Sequence, residues 1–162
     1  PPVFNNTQPV AAGGATSAPF TPTAPGTYRW IASYSGDANN TAVAGACNDP
    51  SESVVVGQAA PTITTVASAG VPIGGTVTDT ATLAGGVTPT GTITFRLYRP
   101  DDATCAGPPV FTNAQPVAGG GATSAPFTPT APGTYRWIAS YSGDASNAAV
   151  AGACNDPNEN AL

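Results

Sequence analysis

Few residues in this chain could do chemistry: three cysteines, nine acids and four arginines, with no lysine, histidine or methionine among 162 residues. Without histidine there is no Ser-His-Asp relay, no Cys-His pair and no imidazole metal site. Without lysine there is neither a Schiff base nor a Lys–Asn isopeptide crosslink. Acid catalysis needs paired carboxylates in a cleft. The acids are Asp37, Asp49, Glu52, Asp79, Asp101, Asp102, Asp144, Asp156 and Glu159, and several stand beside proline or glycine in turns, where Asp bonds its own backbone. No site emerges from which an activity can be argued, so the chain is expected not to be an enzyme. The three cysteines, Cys47, Cys105 and Cys154, form an odd set, which in a secreted chain needs an explanation.

The charge balance narrows the partners. A net charge of −5 and four scattered arginines leave no basic track for phosphates, which argues against nucleic acid. The lack of lysine argues against attraction to an anionic membrane surface, and no apolar run is long enough to span a bilayer. Pro1 is not a natural start, so the N-terminus is expected to have been processed or cut.

The elements that must position these groups are strands. Apolar residues make up 41% of the chain, enough for a core, while 19 glycines and 18 prolines break it into short pieces with no long helical spacing. The organising stretch is Gly133-Thr134-Tyr135-Arg136-Trp137-Ile138-Ala139-Ser140-Tyr141-Ser142-Gly143-Asp144, which recurs unchanged from Gly26 to Asp37. At period two, Tyr135, Trp137, Ala139 and Tyr141 share one face, as do Tyr28, Trp30 and Tyr34 in the earlier copy, and these aromatics are the expected structural core. The repeat is longer than this stretch. Residues 1–53 align with 108–160 without a gap at an offset of 107, differing only at positions 5, 7, 12, 39, 41, 51 and 53. A period of that length suits tandem whole domains rather than a solenoid.

Within the later copy, strands are predicted over Pro61–Ser68, Val77–Leu83, Thr92–Tyr98, Pro109–Val117, Ala122–Thr128, Thr134–Tyr141 and Asn155–Leu162. Val77, Ala81, Leu83, Ile93, Phe95 and Leu97 are expected to point inward. Seven short strands with frequent turns fit an all-β, immunoglobulin-like Greek-key β-sandwich. The motifs Pro89-Thr90-Gly91-Thr92-Ile93-Thr94-Phe95, Pro132-Gly133-Thr134-Tyr135 and Tyr141-Ser142-Gly143-Asp144-Ala145 resemble the bacterial Ig-like repeat family of long secreted surface proteins. The resemblance implies a complete repeat over 62–162, a short linker over 57–61, and the second half of another repeat, strands four to seven, over 1–56.

In such a fold Tyr135 would be the tyrosine-corner residue, its hydroxyl bonding nearby backbone. Trp137 stands where antibody domains have a cysteine, so the usual intersheet disulfide is absent. Cys105 follows the third strand and Cys154 precedes the last, and a Cys105–Cys154 disulfide is expected instead, contributing up to ~4 kcal/mol. Free thiols are the alternative. Cys47 is then a half-disulfide whose partner, the equivalent of Cys105, would lie upstream of Pro1. Phe4, Phe20, Tyr28, Trp30 and Tyr34 would lack a covering sheet, each forgoing roughly 1.5–3 kcal/mol of burial. Each chain holds one first half and two second halves, so identical copies cannot complete one another by swapping. The sequence is therefore expected to be a window on a longer array, or a fragment completed by a different protein or left frayed.

Asp101, Asp102 and Asp156 would approach one another if the disulfide forms, and with carbonyls they make a candidate calcium site. Solvated turn aspartates are the favoured reading, and no cofactor is expected. The linker carries no carboxylate, so a calcium-stiffened junction is not indicated, and a spacer this short ending in Pro61 limits bending. Thr62/Thr64, Thr76/Thr78, Thr80/Thr82 and Thr92/Thr94 read as outward strand residues rather than an ice- or sugar-binding array. Asn5-Asn6-Thr7 and Asn39-Asn40-Thr41 match the glycosylation pattern by chance, since neither survives in the second copy.

The functional expectation is a structural module of an extracellular bacterial surface stalk, fibre or filament giving semi-rigid reach. Its partners would be neighbouring copies in a homopolymeric filament. The alternative is an adhesin whose loops grip a surface glycan or protein ligand. An appended domain of a secreted enzyme is a third reading.

Overall fold

A computed structural model of the chain describes residues 1–161. The chain divides into two compact units, Pro1–Val56 and Gly57–Leu162.

In the first unit, β1 (Gly26–Arg29) pairs antiparallel with β4 (Ser53–Val56), and β2 (Ser33–Tyr34) with β3 (Val43–Ala44). A single 3-10 turn, Pro50–Glu52, precedes β4, and the Asp49 carboxylate caps it by accepting from the Ser51 N–H. None of residues 1–56, all of them described, is buried.

The second unit carries β5 (Thr62–Ala67), β6 (Asp79–Ala84), β7 (Thr92–Tyr98), β8 (Phe111–Pro116), β9 (Gly121–Thr123), β10 (Tyr135–Tyr141), β11 (Val150–Ala151) and β12 (Asn160–Ala161). All pairings between these strands are antiparallel. One sheet has the order β5-β6-β9 and the other β11-β10-β7-β8, with β12 also on β10. The alternation in sequence decides which face each sheet buries. Val77, Ala81 and Leu83 from one sheet meet Ile93, Phe95, Leu97, Tyr135, Trp137, Ala139 and Tyr141 from the other in a single core. The fold is all-β, with antiparallel sheets consistent with a β-sandwich.

Three elements differ from the sequence expectation. The strand expected over Ala122–Thr128 stops at Thr123, because Pro126 and Pro129 lack N–H donors; only a Val77–Phe127 bridge continues the pairing. The final strand, expected from Asn155, begins at Asn160, since Asn155 adopts a left-handed conformation (φ 64°) ahead of the Asp156-Pro157 turn. Leu162 lies outside the described residues. Val150–Ala151 forms a strand that was not expected, so two short strands share one edge of β10, at Tyr135–Arg136 and Ser140–Tyr141.

Candidate functional site

The recurring turn after the aromatic strand is built around Asp144. Its Oδ1 accepts from the backbone N–H groups of Ser146 and Asn147, each at 2.8 Å, and its Oδ2 from the Tyr141 hydroxyl at 2.9 Å and the Thr90 N–H at 2.7 Å. The Thr90 hydroxyl and Asn147 Nδ2 also donate to it. These donors, the Thr90 N–H first, hold its carboxyl far below the usual carboxylate range. Asn147 is itself buried and clamps the loop before β7, accepting from Val87 N–H at 2.7 Å and donating to Val87 C=O at 2.9 Å. Gly143 permits the turn. It has φ 73°, and a Cβ there would come within 2.8 Å of Ala149 N. With so many internal donors, Asp144 is committed to its turn.

The same device stands at Asp37, which accepts from Tyr34 hydroxyl at 2.6 Å, Asn39 N–H, Asn40 N–H and Asn40 Nδ2. The Tyr34 hydroxyl foremost brings its carboxyl down to about 2. Tyr135 and Tyr28 also behave alike, their hydroxyls donating to the backbone carbonyls of Ala131 and Ala24, four residues upstream in each case. In the second unit Tyr135, Trp137 and Tyr141 are buried, whereas Tyr28, Trp30 and Tyr34 are half-buried in the first.

Cys105 and Cys154 are joined in a disulfide, with Cα atoms 5.9 Å apart, linking the loop after β7 to the loop between β11 and β12. Beside it, Arg136 Nε donates to Asn155 Oδ1 at 2.7 Å and Asn155 Nδ2 to Ala103 C=O at 2.9 Å, so the bond sits within a bonded pair of loops. Cys47 is free and exposed. The calcium candidates are not gathered. Asp102 turns its carboxylate onto its own loop, accepting from Gly107 N–H at 2.9 Å and Ala106 N–H at 3.2 Å, and these bonds lower its pKa. Asp156 faces Asn158 N–H at the long distance of 3.5 Å, and no hydrogen bond places Asp101 with either. Among the described residues no group of three acids, cysteines or histidines is placed to hold a metal ion.

Two acids that lie within strands expected from the sequence, and that were not marked there as inward, belong to the core. Asp79 is 0% and Glu159 1% exposed. Both Asp79 carboxylate oxygens, Glu159 Oε2 and the Trp137 indole N–H are buried without a hydrogen-bond partner. Burial raises Asp79 to about 6. Burial, then the charges of Asp79 and Asp156, raises Glu159 to about 8. The backbone fixes both: Asp79 N–H donates to Ser124 Oγ, and Trp137 N–H to Glu159 C=O. Sealed from solvent, these carboxyls cannot meet a substrate, and their chemistry is proton uptake coupled to folding. One signal did exist for Asp79: it stands on the inward phase of Val77, Ala81 and Leu83.

No protein-family model, curated protein or solved structure matches this chain. Among the described residues no helix is long and apolar enough to cross a membrane.

Proposed function

We propose that the chain is a stretch of tandem Ig-like modules from an extracellular bacterial stalk, fibre or filament, and that its work is mechanical reach. The observation that carries this reading is the recurrence, at an offset of 107 residues, of one strand-and-turn unit with the same internal bonds at Asp37 and Asp144 and at Tyr28 and Tyr135. A spacer gains from copies, whereas specific binding often needs one site. The sheet orders β5-β6-β9 and β11-β10-β7-β8 support an Ig-like Greek key, because they keep the first, second and fifth strands apart from the third, fourth and sixth. The Cys105–Cys154 bond supports an oxidising, extracellular location. On this reading residues 1–56 are the second half of a repeat and 57–61 the spacer before a complete one.

Electron microscopy of the native material tests the reading. Extended rods whose length grows with repeat number are the expected result. A compact particle would overturn it, and a glycan-array signal lost on altering one loop would replace it with an adhesin.

A further inference from the structure

We propose that the stretch Asp156–Ala161 is a proton-held latch: with Glu159 in its acid form it closes the seam between the two sheets, and loss of that proton releases it from β5 and β10 while the rest of the core stays shut. The device lies wholly in the second unit and does not depend on the stalk reading.

The seam runs through Ala67. On one side Ala67 pairs with Asp79 in the β5–β6 ladder; on the other its N–H donates to Asn158 C=O at 2.8 Å. The next residue, Glu159, takes the Trp137 N–H on its C=O at 2.9 Å, and its side chain turns inward, within electrostatic reach of Asp79. Both Asp79 oxygens and Glu159 Oε2 are buried without a hydrogen-bond partner. A protonated carboxyl tolerates such a place; an ionised one, sealed from solvent and facing no cation, does not. No cation is offered. Strands β5, β8, β9, β11 and β12 and the loops 68–78 and 124–134 carry no titratable residue. On β10 the Tyr135 hydroxyl is bonded to Ala131 C=O, the Tyr141 hydroxyl to Asp144, and Arg136 to Asn155 Oδ1 and Thr134 C=O. On β7, Arg96 reaches Ser140 Oγ, and Arg96 and Tyr98 alternate with the inward Phe95 and Leu97. What faces Glu159 is Asp79 and Asp156, both acids.

Burial first, then the charges of Asp79 and Asp156, hold Glu159 protonated up to about pH 8. Once released into solvent it titrates far lower, so the closed latch binds its proton more tightly than the open one. Closure is therefore strongest below the open-state value, weakens as pH rises and gains nothing more from the proton above about 8. Asp79, raised by burial to about 6, ionises first, and its charge then bears on Glu159. The opening is confined at its near end. Cys154 is bonded to Cys105, and Asn155 to Arg136 and Ala103, so the chain is anchored immediately ahead of the latch. Asn155, at φ 64°, and Pro157 form the hinge. Release gives up the bonds at Ala67 and Trp137 and the pairing of Asn160 and Ala161 with Arg136 and Tyr135. It bares the edge of β10 over Tyr135–Trp137, whereas β7 keeps its registers with β8 and β10.

Native-state hydrogen exchange on the whole oxidised chain, read by NMR from pH 6 to pH 9 at several urea concentrations below the unfolding transition, tests the latch. The reporters are the Ala67 and Trp137 amides, which donate to it; the amides of β7 are the comparison. Corrected for the intrinsic exchange rate, reporter protection should fall roughly a hundredfold across that range without depending on urea, while β7 amides exchange through urea-dependent unfolding. Glu159→Gln should hold reporter protection level, and Asp79→Asn, which removes the facing charge, should move the fall to higher pH. Reporters that share the urea dependence of β7 would mean that the unit opens as a whole and would overturn the proposal. So would a fall that persists in a Glu159→Gln chain of native circular dichroism. If that variant does not fold, the wild-type urea independence and the Asp79→Asn shift decide, and the absence of either overturns the latch.

Discussion

Residues 1–53 and 108–160 place nearly the same sequence in two environments, and the difference separates what a segment does for itself from what its neighbours do for it. The local devices are present in both: the Asp37 and Asp144 turns, the Tyr28 and Tyr135 hydroxyl bonds, and the Phe4–Trp30 and Phe111–Trp137 contacts. Burial is present in only one. Trp137 is 0% exposed against β6 and β7, while Trp30 is half-buried and Val55 is 79% exposed. Hydrogen-bonded turns are encoded over a few residues; a core needs the other sheet.

Truncating the two tryptophans gives the largest expected contrast. Trp137→Ala should cost about 3–5 kcal/mol in urea unfolding, and Trp30→Ala less than about 1 kcal/mol, because only the first opens a cavity in a packed core. Equal losses would mean that residues 1–56 are covered in solution. The buried acids come next. Asp79 and Glu159 have folded pKa values raised above those of the unfolded chain, so the folded state binds protons more tightly. Their contribution is present below the unfolded values and is lost as pH rises through about 6 for Asp79 and about 8 for Glu159. Stability of the second unit should fall by on the order of 4 kcal/mol between pH 4 and pH 9. Glu159→Gln should remove most of that slope in unfolding curves across the range, and an unchanged slope would move the titration elsewhere.

Cys154→Ser should cost about 2–4 kcal/mol under oxidising conditions, whereas Cys47→Ser, at an exposed thiol, should stay within about 0.5 kcal/mol. The smallest contrast is hydroxyl deletion. Tyr135→Phe and Tyr28→Phe each remove one bond to a carbonyl, worth about 0.5–1.5 kcal/mol at the buried site and less at the half-buried one. Thermal melts of both variants resolve the pair.

What the sequence disclosed follows the same division. β7 runs over Thr92–Tyr98 as expected, and β10 differs by one residue, because period-two alternation marks strands with one buried face. The cysteine pairing followed from strand order and resemblance. The split into β11 and β12 was missed, although Asn155-Asp156-Pro157 is a turn signal that interrupts the expected final strand. Asp79 fell within the expected strand Val77–Leu83, and its spacing from Val77 and Ala81 pointed inward, but it was not named among the core residues. Glu159 had no such pattern around it, and its twin Glu52 is exposed, so its burial is a property of the assembled sheets. The exposed aromatic surface around Trp30 was foreseen; the donors gathered on Asp37 needed coordinates.

The Cys105–Cys154 bond also decides how far the second unit can be drawn out. Its sequence separation of 49 residues corresponds to roughly 170 Å of extended backbone that a pulling force cannot reach while the bond is closed. A stretched, oxidised unit would pay out only the flanking segments, and reduction would release the hidden length as a second, longer step.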